Sequence, residues 1–192
     1  MNSTLRLFAA VPLPDHLKES LGEWFSGVKN SVPFRKWVHP QDLHITLQFL
    51  GEVEGARTPS IEKALETAAA RSRSFRLQLG HTGTFGRASS PSILWVGLDG
   101  SLEELRFLQK QVEGAMTDVD FQAEERKFKP HVTVARTYQG QAGWDQAELS
   151  RHPLPEACLI PWQADRLVLY QSRLGARPMY EPVSSFSLSS VE

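Results

Sequence analysis

The sequence predicts an α+β fold of two pseudo-equivalent lobes, in which each lobe is an antiparallel sheet with helices on its outer side. Segments with strand-like alternation and segments with helical periodicity interchange along the chain, as is typical of α+β proteins. A His-x-Thr motif occurs twice, at His44 and His131. Each copy follows an apolar strand-like segment (residues 5–11 and 93–98) and a helical segment. We interpret this repetition as an internal duplication whose two copies have diverged in sequence.

The first half of the chain predicts the order β-α-β-α-β. Pro12 and Pro14 close the first strand, and Asp15 is the predicted N-cap of the first helix. Gly51 is expected to end the strand that carries the first motif, and Pro59 lies where a second helix begins. The predicted segments are strand 5–11, helix 16–29, an extended segment 34–38, strand 43–49, helix 58–73 and strand 75–79.

The second half of the chain predicts a similar series. Residues 80–92 are rich in Gly and Ser and predict a loop that borders a site. Ser101 and Glu104 have the spacing of a capping box, which predicts the start of a third helix. The predicted segments are strand 93–98, helix 101–118, the second motif strand after Pro130, a long loop 139–157 with room for a short helix, strand 165–170 and strand 180–188.

Composition bounds the possible functions. The chain has 192 residues, 41% of them hydrophobic and 22% charged, which is ordinary for a globular protein. We therefore expect residues 1–192 to form one domain whose two lobes are not contiguous in sequence. The net charge of −1 argues against nonspecific binding along a phosphate backbone, although a small or terminal nucleotide remains possible because a few cations suffice there.

Cysteine content and the N-terminal segment bear on location. Cys158 is the single cysteine, which excludes an internal disulfide framework and a thiolate metal cluster and suits a reducing compartment. The apolar run 7–11 is too short for a signal-peptide core or a membrane span. We therefore expect a cytoplasmic protein without a membrane partner.

The two motifs predict strands with one polar and one apolar face, because side chains alternate along a strand. The predicted apolar positions are Leu43, Ile45, Leu47 and Phe49 in the first copy, and Val132 and Val134 in the second. The predicted polar positions are His44, Thr46 and Gln48 in the first copy, and His131 and Thr133 in the second. Each strand therefore presents an imidazole and a hydroxyl that point the same way.

Two such faces, packed across a cleft, predict phosphoryl chemistry. One imidazole can act as a base and the other as an acid near neutral pH. The threonine hydroxyls can donate hydrogen bonds to oxygens that gain charge. A metal site would lack a third ligand, and Cys158 has no catalytic partner nearby in the sequence. We expect neither a metal nor another cofactor.

The motifs His44-Ile45-Thr46-Leu47 and His131-Val132-Thr133-Val134 resemble the paired H-x-T-x signatures of the 2H phosphoesterase superfamily. The wider sequence resembles its bacterial and archaeal RNA 2′,3′-cyclic phosphodiesterase branch, the LigT-like proteins also called 2′-5′ RNA ligases. The segments that carry this resemblance are residues 6–14, 43–51, 94–97, 126–131 and 170–180.

The resemblance implies a bilobal fold with both motifs facing a central groove. It also implies hydrolysis of terminal 2′,3′-cyclic phosphates to 2′-phosphates without a metal. By this analogy His44 is the acid, His131 is the base, and Thr46 and Thr133 hold the phosphate. ATP-independent 2′-5′ joining of tRNA halves would be the reverse reaction.

Four further residues are candidates for substrate binding. Arg136 follows the second motif, but regular alternation points it away from His131 unless the strand bulges or ends there. Its alternative reading is a surface cation at the strand end. Arg126 and Phe128 precede the second motif, and Phe128 could stack on a base or cover the core. Phe8 lies in an apolar run, so we interpret it first as a core residue and second as a residue that contacts a base.

Two other functions remain open at this stage. A related enzyme could act on another cyclic phosphate, such as a cyclic ADP-ribose derivative, or on a 2′-5′ oligonucleotide. A non-catalytic module could bind nucleotide ends, although binding alone needs no acid-base pair. The expected partners are RNA 3′ ends or small nucleotides bearing a 2′,3′-cyclic phosphate, and the expected state is a monomer.

Overall fold

The computed structural model describes residues 3–190, and two antiparallel sheets form most of this part of the chain. The strands are β1 Thr4–Pro12, β2 Phe34–Trp37, β3 His44–Glu54, β4 Phe75–Arg87, β5 Ser90–Gly100, β6 His131–Tyr138, β7 Trp162–Ala164, β8 Arg166–Ser172 and β9 Tyr180–Ser187. The α-helices are α1 Asp15–Val28, α2 Thr58–Ala70, α3 Leu102–Thr117 and α4 Ala147–Ser150. Short 3₁₀ helices span Pro40–Asp42, Gly55–Arg57 and Glu156–Leu159.

The sheet topology confirms the predicted α+β class. One sheet has the strand order β3-β1-β8-β9 and the other has the order β2-β6-β5-β4-β7, with antiparallel neighbours throughout. The first motif strand, β3, pairs with β1, and the second, β6, pairs with β5. Each motif strand therefore lies beside the apolar strand that precedes it in its own half of the chain.

The helices bury one apolar side each, as their periodicity predicts. The buried side of α1 includes Leu17, Leu21 and Trp24, and that of α3 includes Leu105 and Val112. Helices α2 and α3 pack against each other, and α2 also contacts β8 and β9. The buried side chains form one continuous cluster that extends through both sheets.

The predicted loop 80–92 is wrong, because β4 and β5 form a long hairpin there. Its glycines permit close packing within the sheet. A Cβ on Gly83 would lie 2.3 Å from the Trp95 ring, so Gly83 leaves room for that side chain. Gly86 has φ +107°, a conformation that glycine adopts readily, at a shift in the hairpin register.

Several predicted element ends are also wrong. Pro14 occupies the N-cap position of α1, so Asp15 is the first helical residue. Ser101 is at the N-cap of α3 but its side chain makes no capping hydrogen bond. Gly51 has φ +73° without ending its strand, which continues to Glu54, and α2 stops at Ala70. Strand β7 is a short element that the periodicity did not define, whereas helix α4 is the short helix considered for the loop 139–157.

Candidate active site

His44 and His131 are the first residues of β3 and β6, and the structure brings these two strands into contact across the two sheets. Thr46 and Thr133 follow on the same face of their strands, and all four side chains are partly buried. The four residues that the paired motifs single out therefore lie on two strands that contact each other, and the faces that carry them are called the groove faces below.

Backbone carbonyls fix the tautomer of both imidazoles. Nδ1 of His44 lies 2.7 Å from the carbonyl oxygen of Asp42, and Nδ1 of His131 lies 2.6 Å from that of Lys129. Because a carbonyl oxygen only accepts, each Nδ1 carries a proton and donates it. In the neutral rings Nε2 is therefore the basic nitrogen. Nε2 of His44 lies 2.8 Å from Oγ1 of Thr46, whose hydroxyl donates to it.

Burial keeps both imidazoles neutral in the free protein. The pKa of His44 is lowered to about 4, mainly by burial and in smaller part by the charge of Arg136 and the proximity of the ionisable His131, while the hydrogen bond to Asp42 and the Asp42 charge oppose this shift. Burial also lowers the pKa of His131, the bond to the Lys129 carbonyl opposes this, and Arg136 lowers it again. The charge of Arg136 therefore disfavours protonation of both rings.

A β-bulge brings Phe49 onto the face of the first histidine. The register of β3 against β1 shifts between Ala9 and Ala10, where Leu47 is the extra residue. A bulge reverses the alternation beyond it. As a result Gln48 is 1% exposed and Phe49 is 57% exposed, the opposite of the predicted faces. Sequence reasoning therefore missed Phe49 as a site residue.

The second motif strand contains a bulge at the corresponding place. The register of β6 against β5 shifts between Leu94 and Trp95, where Val134 is the extra residue. Arg136 consequently lies on the face of His131 and is exposed, as expected of a bulged strand. Phe49 and Arg136 each follow a motif histidine by five residues, and this shared offset is a signal that the sequence contained.

An aromatic cluster packs against the His44 imidazole. The Phe8 ring is 1% exposed and lies 4.9 Å from His44, 5.7 Å from Phe49, 5.3 Å from Tyr170 and 4.8 Å from Tyr180, measured between centroids. Burial raises the pKa of both tyrosines, so they remain neutral phenols. Phe8 leaves little surface for a base and packs against the His44 imidazole instead.

A smaller group of rings surrounds His131. The Phe85 ring meets it edge to face, with 5.0 Å between centroids, and Trp95 lies 5.4 Å behind Phe85. Phe85 lies on β4, so the segment 80–92 does border the site although it is a hairpin. His81 packs against Trp95 at 5.3 Å, one ring further from the groove.

Asp42 is a buried carboxylate that the sequence did not single out. Its side chain is 6% exposed and accepts hydrogen bonds from the backbone N–H groups of Met179, at 2.8 Å, and Tyr180, at 3.0 Å. Its carbonyl oxygen meanwhile accepts from Nδ1 of His44. Asp42 therefore connects the turn before β3 to the first residue of β9 and fixes His44 between them.

The remaining candidates lie outside this cluster. Arg126 is exposed, whereas Phe128 is partly buried and packs against the core. Cys158 is buried, and burial raises the pKa of its thiol to about 11, so it is not a nucleophile at neutral pH. Between residues 3 and 190 there is no group of three or more His, Cys, Asp or Glu side chains placed to hold a metal.

None of the helices in the described part of the chain is long and apolar enough to cross a membrane.

The chain matches the family model of LigT like Phosphoesterase twice, over residues 11–95 and 96–180, and each match contains one motif. It is 32% identical to the RNA 2′,3′-cyclic phosphodiesterase of Bacillus subtilis over 186 residues, covering 95% of this chain and 96% of that protein. It is 36% identical to the protein of the same name from Geobacillus stearothermophilus over 183 residues, covering 94% of this chain. The match spans 56% of that relative's length.

Solved structures share the fold over the whole chain. The Thermus thermophilus protein TT0787 superposes with a TM-score of 0.77 at 28% identity, covering 98% of this chain and all of that one. E. coli LigT complexed with 3′-AMP superposes with a TM-score of 0.79 at 24% identity, covering 97% of this chain and 99% of that one. These structures support the fold of two antiparallel sheets.

Proposed function

The chain belongs to the LigT-like phosphoesterase family, and on that basis we propose that it is a cyclic phosphodiesterase that hydrolyses terminal 2′,3′-cyclic phosphates of RNA to 2′-phosphates. One observation carries the proposal. Two imidazoles on facing strands have their Nδ1 protons fixed by carbonyl oxygens, so that each uses Nε2 for proton transfer. A hydrolysis with one proton removed and one proton donated needs such a pair.

In the proposed reaction His131 acts as the base. Its Nε2 accepts a proton from a water molecule, whose oxygen attacks the phosphorus as the bond from phosphorus to the 3′-oxygen breaks. His44, protonated at Nε2, donates its proton to that leaving oxygen, so the product is a 2′-phosphate and a free 3′-hydroxyl. Among the described residues Nε2 of His131 has no hydrogen-bonding partner, whereas Nε2 of His44 is occupied by Thr46, which favours His131 as the water-binding ring.

Substrate binding supplies the proton that the acid needs. His44 has a pKa of about 4 in the free protein and is neutral at pH 7. A cyclic phosphate carries one negative charge, and a negative charge next to an imidazole raises its pKa. We therefore propose that the substrate and a proton bind together. Because the two imidazoles perform both proton transfers, the proposed reaction needs no metal.

Other side chains hold the substrate in this proposal. Thr46 and Thr133 donate hydrogen bonds to the phosphate oxygens, and Arg136 supplies positive charge in the groove. Phe49, largely exposed on the His44 side, stacks on the terminal base. Phe8 acts through its packing against His44.

The loop before β6 supplies two weaker candidates. Arg126 remains a candidate for an RNA contact because it is exposed five residues before His131. Phe128 fits a base contact less well than Phe49, because it packs against the core. We propose that the protein acts as a cytoplasmic monomer on RNA ends, tRNA halves included, and that 2′-5′ ligation is the reverse of its hydrolysis.

The test is incubation of the purified protein with adenosine 2′,3′-cyclic phosphate in excess EDTA, followed by separation of 2′-AMP from 3′-AMP. We expect 2′-AMP, lost in His44→Ala and in His131→Ala but retained in His16→Ala, which removes an exposed histidine of α1. A 3′-AMP product would overturn the leaving-group assignment. Turnover only of a cyclic ADP-ribose derivative or a 2′-5′ oligonucleotide would favour the related-enzyme alternative. Folded protein that binds nucleotides without turnover would favour the binding module.

A further inference from the structure

Arg136 and Lys36 are neighbours on adjacent strands at one edge of the second sheet. Lys36 on β2 is the partner of Arg136 on β6 in the antiparallel ladder. Side chains of directly paired residues lie on the same face of a sheet, a few ångströms apart. The bulge at Val134 has placed Arg136 on the face of His131, so Lys36 extends that face outward to the sheet edge.

No acid compensates these two cations. Both side chains are exposed, and neither takes part in any of the ion pairs found between residues 3 and 190. Like charges directly opposite each other on paired strands are destabilising. Two uncompensated cations at this position are therefore a cost in the free protein that an anionic ligand would relieve. The chain's net charge of −1 makes such a local concentration of positive charge distinctive.

The two cations lie at different distances from the reacting groups. Arg136 lies on β6, the strand that carries His131, whereas Lys36 lies on β2, which pairs with β6 at the edge of the sheet. Paired strands are about 4.8 Å apart, so Lys36 lies one strand beyond Arg136 on the way out of the groove. An RNA strand that leaves the groove in this direction presents its next phosphate one nucleotide from the reacting one.

We propose that Arg136 and Lys36 form a second phosphate subsite, which binds the 3′,5′-phosphodiester immediately upstream of the terminal cyclic phosphate. This inference rests on the proposed function and names its substrate class as RNA ends of two or more nucleotides. The guanidinium supplies paired donors on the inner side and the ammonium a single charge on the outer side. A cyclic mononucleotide lacks the upstream phosphate and leaves this subsite empty.

The test compares kcat/KM for adenosine 2′,3′-cyclic phosphate with that for the dinucleotide adenylyl-adenosine 2′,3′-cyclic phosphate, in the wild type, Lys36→Met and Arg35→Met. Arg35 is the matched control, because it is an exposed cation next to Lys36 that alternation directs to the opposite face of β2. We expect Lys36→Met to lower the ratio of dinucleotide to mononucleotide kcat/KM about fivefold or more. We expect Arg35→Met to leave the ratio unchanged.

Salt dependence gives a second readout. Each phosphate contact to single-stranded RNA contributes about −0.7 to the slope of log affinity against log salt. For the dinucleotide, the slope of log affinity against log salt should therefore be shallower by about 0.7 in Lys36→Met than in the wild type. An unchanged ratio in Lys36→Met, or an equal loss in Arg35→Met, would overturn the subsite. Failure of the proposed function is distinct, because the folded wild type would then hydrolyse neither substrate.

Discussion

The low pKa of His44 predicts that this side chain makes the fold sensitive to acid. In the unfolded chain the imidazole has its ordinary pKa of 6.5, whereas burial holds it at about 4 in the folded protein. Between these values the unfolded state binds a proton that the folded state does not. The free energy of unfolding therefore falls as the pH falls from 6.5 towards 4, and it is fully retained above 6.5.

The size of the effect follows from this difference. One pKa unit corresponds to 1.36 kcal/mol, so the full difference between 6.5 and about 4 amounts to about 3 kcal/mol. His44 is only partly buried, which reduces the effect, and a measurement near pH 4.5 stops short of the lower pKa. We expect a contribution of about 2 kcal/mol between about pH 7.5 and pH 4.5.

The substitution His44→Asn tests this expectation. The asparagine amide can donate a hydrogen bond to the Asp42 carbonyl, as Nδ1 of His44 does, but it does not bind a proton between about pH 4 and pH 7.5. Urea unfolding of the wild type and the variant, near pH 7.5 and pH 4.5, gives the loss of stability in each. The wild type should lose about 2 kcal/mol more than His44→Asn over this range. His16→Asn removes an exposed histidine and should lose as much as the wild type. Equal losses in the wild type and His44→Asn would show that burial does not lower the pKa of His44 in the folded protein.

Three other predictions concern catalysis and positioning. If His44 is the acid, kcat/KM should be greatest in mildly acidic solution and fall as the pH rises towards neutrality, because the pKa of His44 is about 4 and burial lowers the pKa of His131. The kcat profile should lie at higher pH, because bound phosphate raises the imidazole pKa. A kcat/KM that still rises at about pH 7.5 would contradict this assignment. Asp42→Asn should lower kcat about tenfold with little change in KM. It should also shift the kcat/KM profile to lower pH, because the Asp42 charge raises the pKa of His44. An unchanged pH profile would mean that Asp42 has a purely structural role. Phe49→Leu should lower kcat/KM for adenosine 2′,3′-cyclic phosphate about tenfold but leave kcat/KM for the base-free ribose 2′,3′-cyclic phosphate unchanged. The control Phe107→Leu, at an exposed position of α3, should change kcat/KM for neither substrate.

The sequence predicted what depends on local pattern and repetition. Alternation identified the motif strands and their apolar partners, and the ladder between β1 and β3 has its counterpart between β5 and β6. The helix positions followed from apolar spacing, which does not depend on distant contacts. The match of one family to residues 11–95 and again to 96–180 agrees with the predicted duplication.

The errors have a common physical origin in tertiary contacts. A bulge is a property of two strands together, so the exposed face of Phe49 could not be read from β3 alone. The glycines of the β4–β5 hairpin resemble a loop until the Trp95 ring is placed over Gly83. In the sequence Asp42 is indistinguishable from an ordinary turn residue, because the two backbone N–H groups that donate to its carboxylate lie far along the chain, at the start of β9.

The paired bulges indicate how a duplicated scaffold accommodates an asymmetric ligand. Both motif strands place a histidine, a threonine and, five residues after the histidine, an exposed side chain on the groove face. At that last position one strand has an aromatic ring, Phe49, and the other a cation, Arg136. The terminus of an RNA is likewise asymmetric, with a flat base on one side and anionic phosphates on the other. In the proposed function, the repeated elements supply the acid-base pair, and the divergent position would distinguish the two sides of the nucleotide.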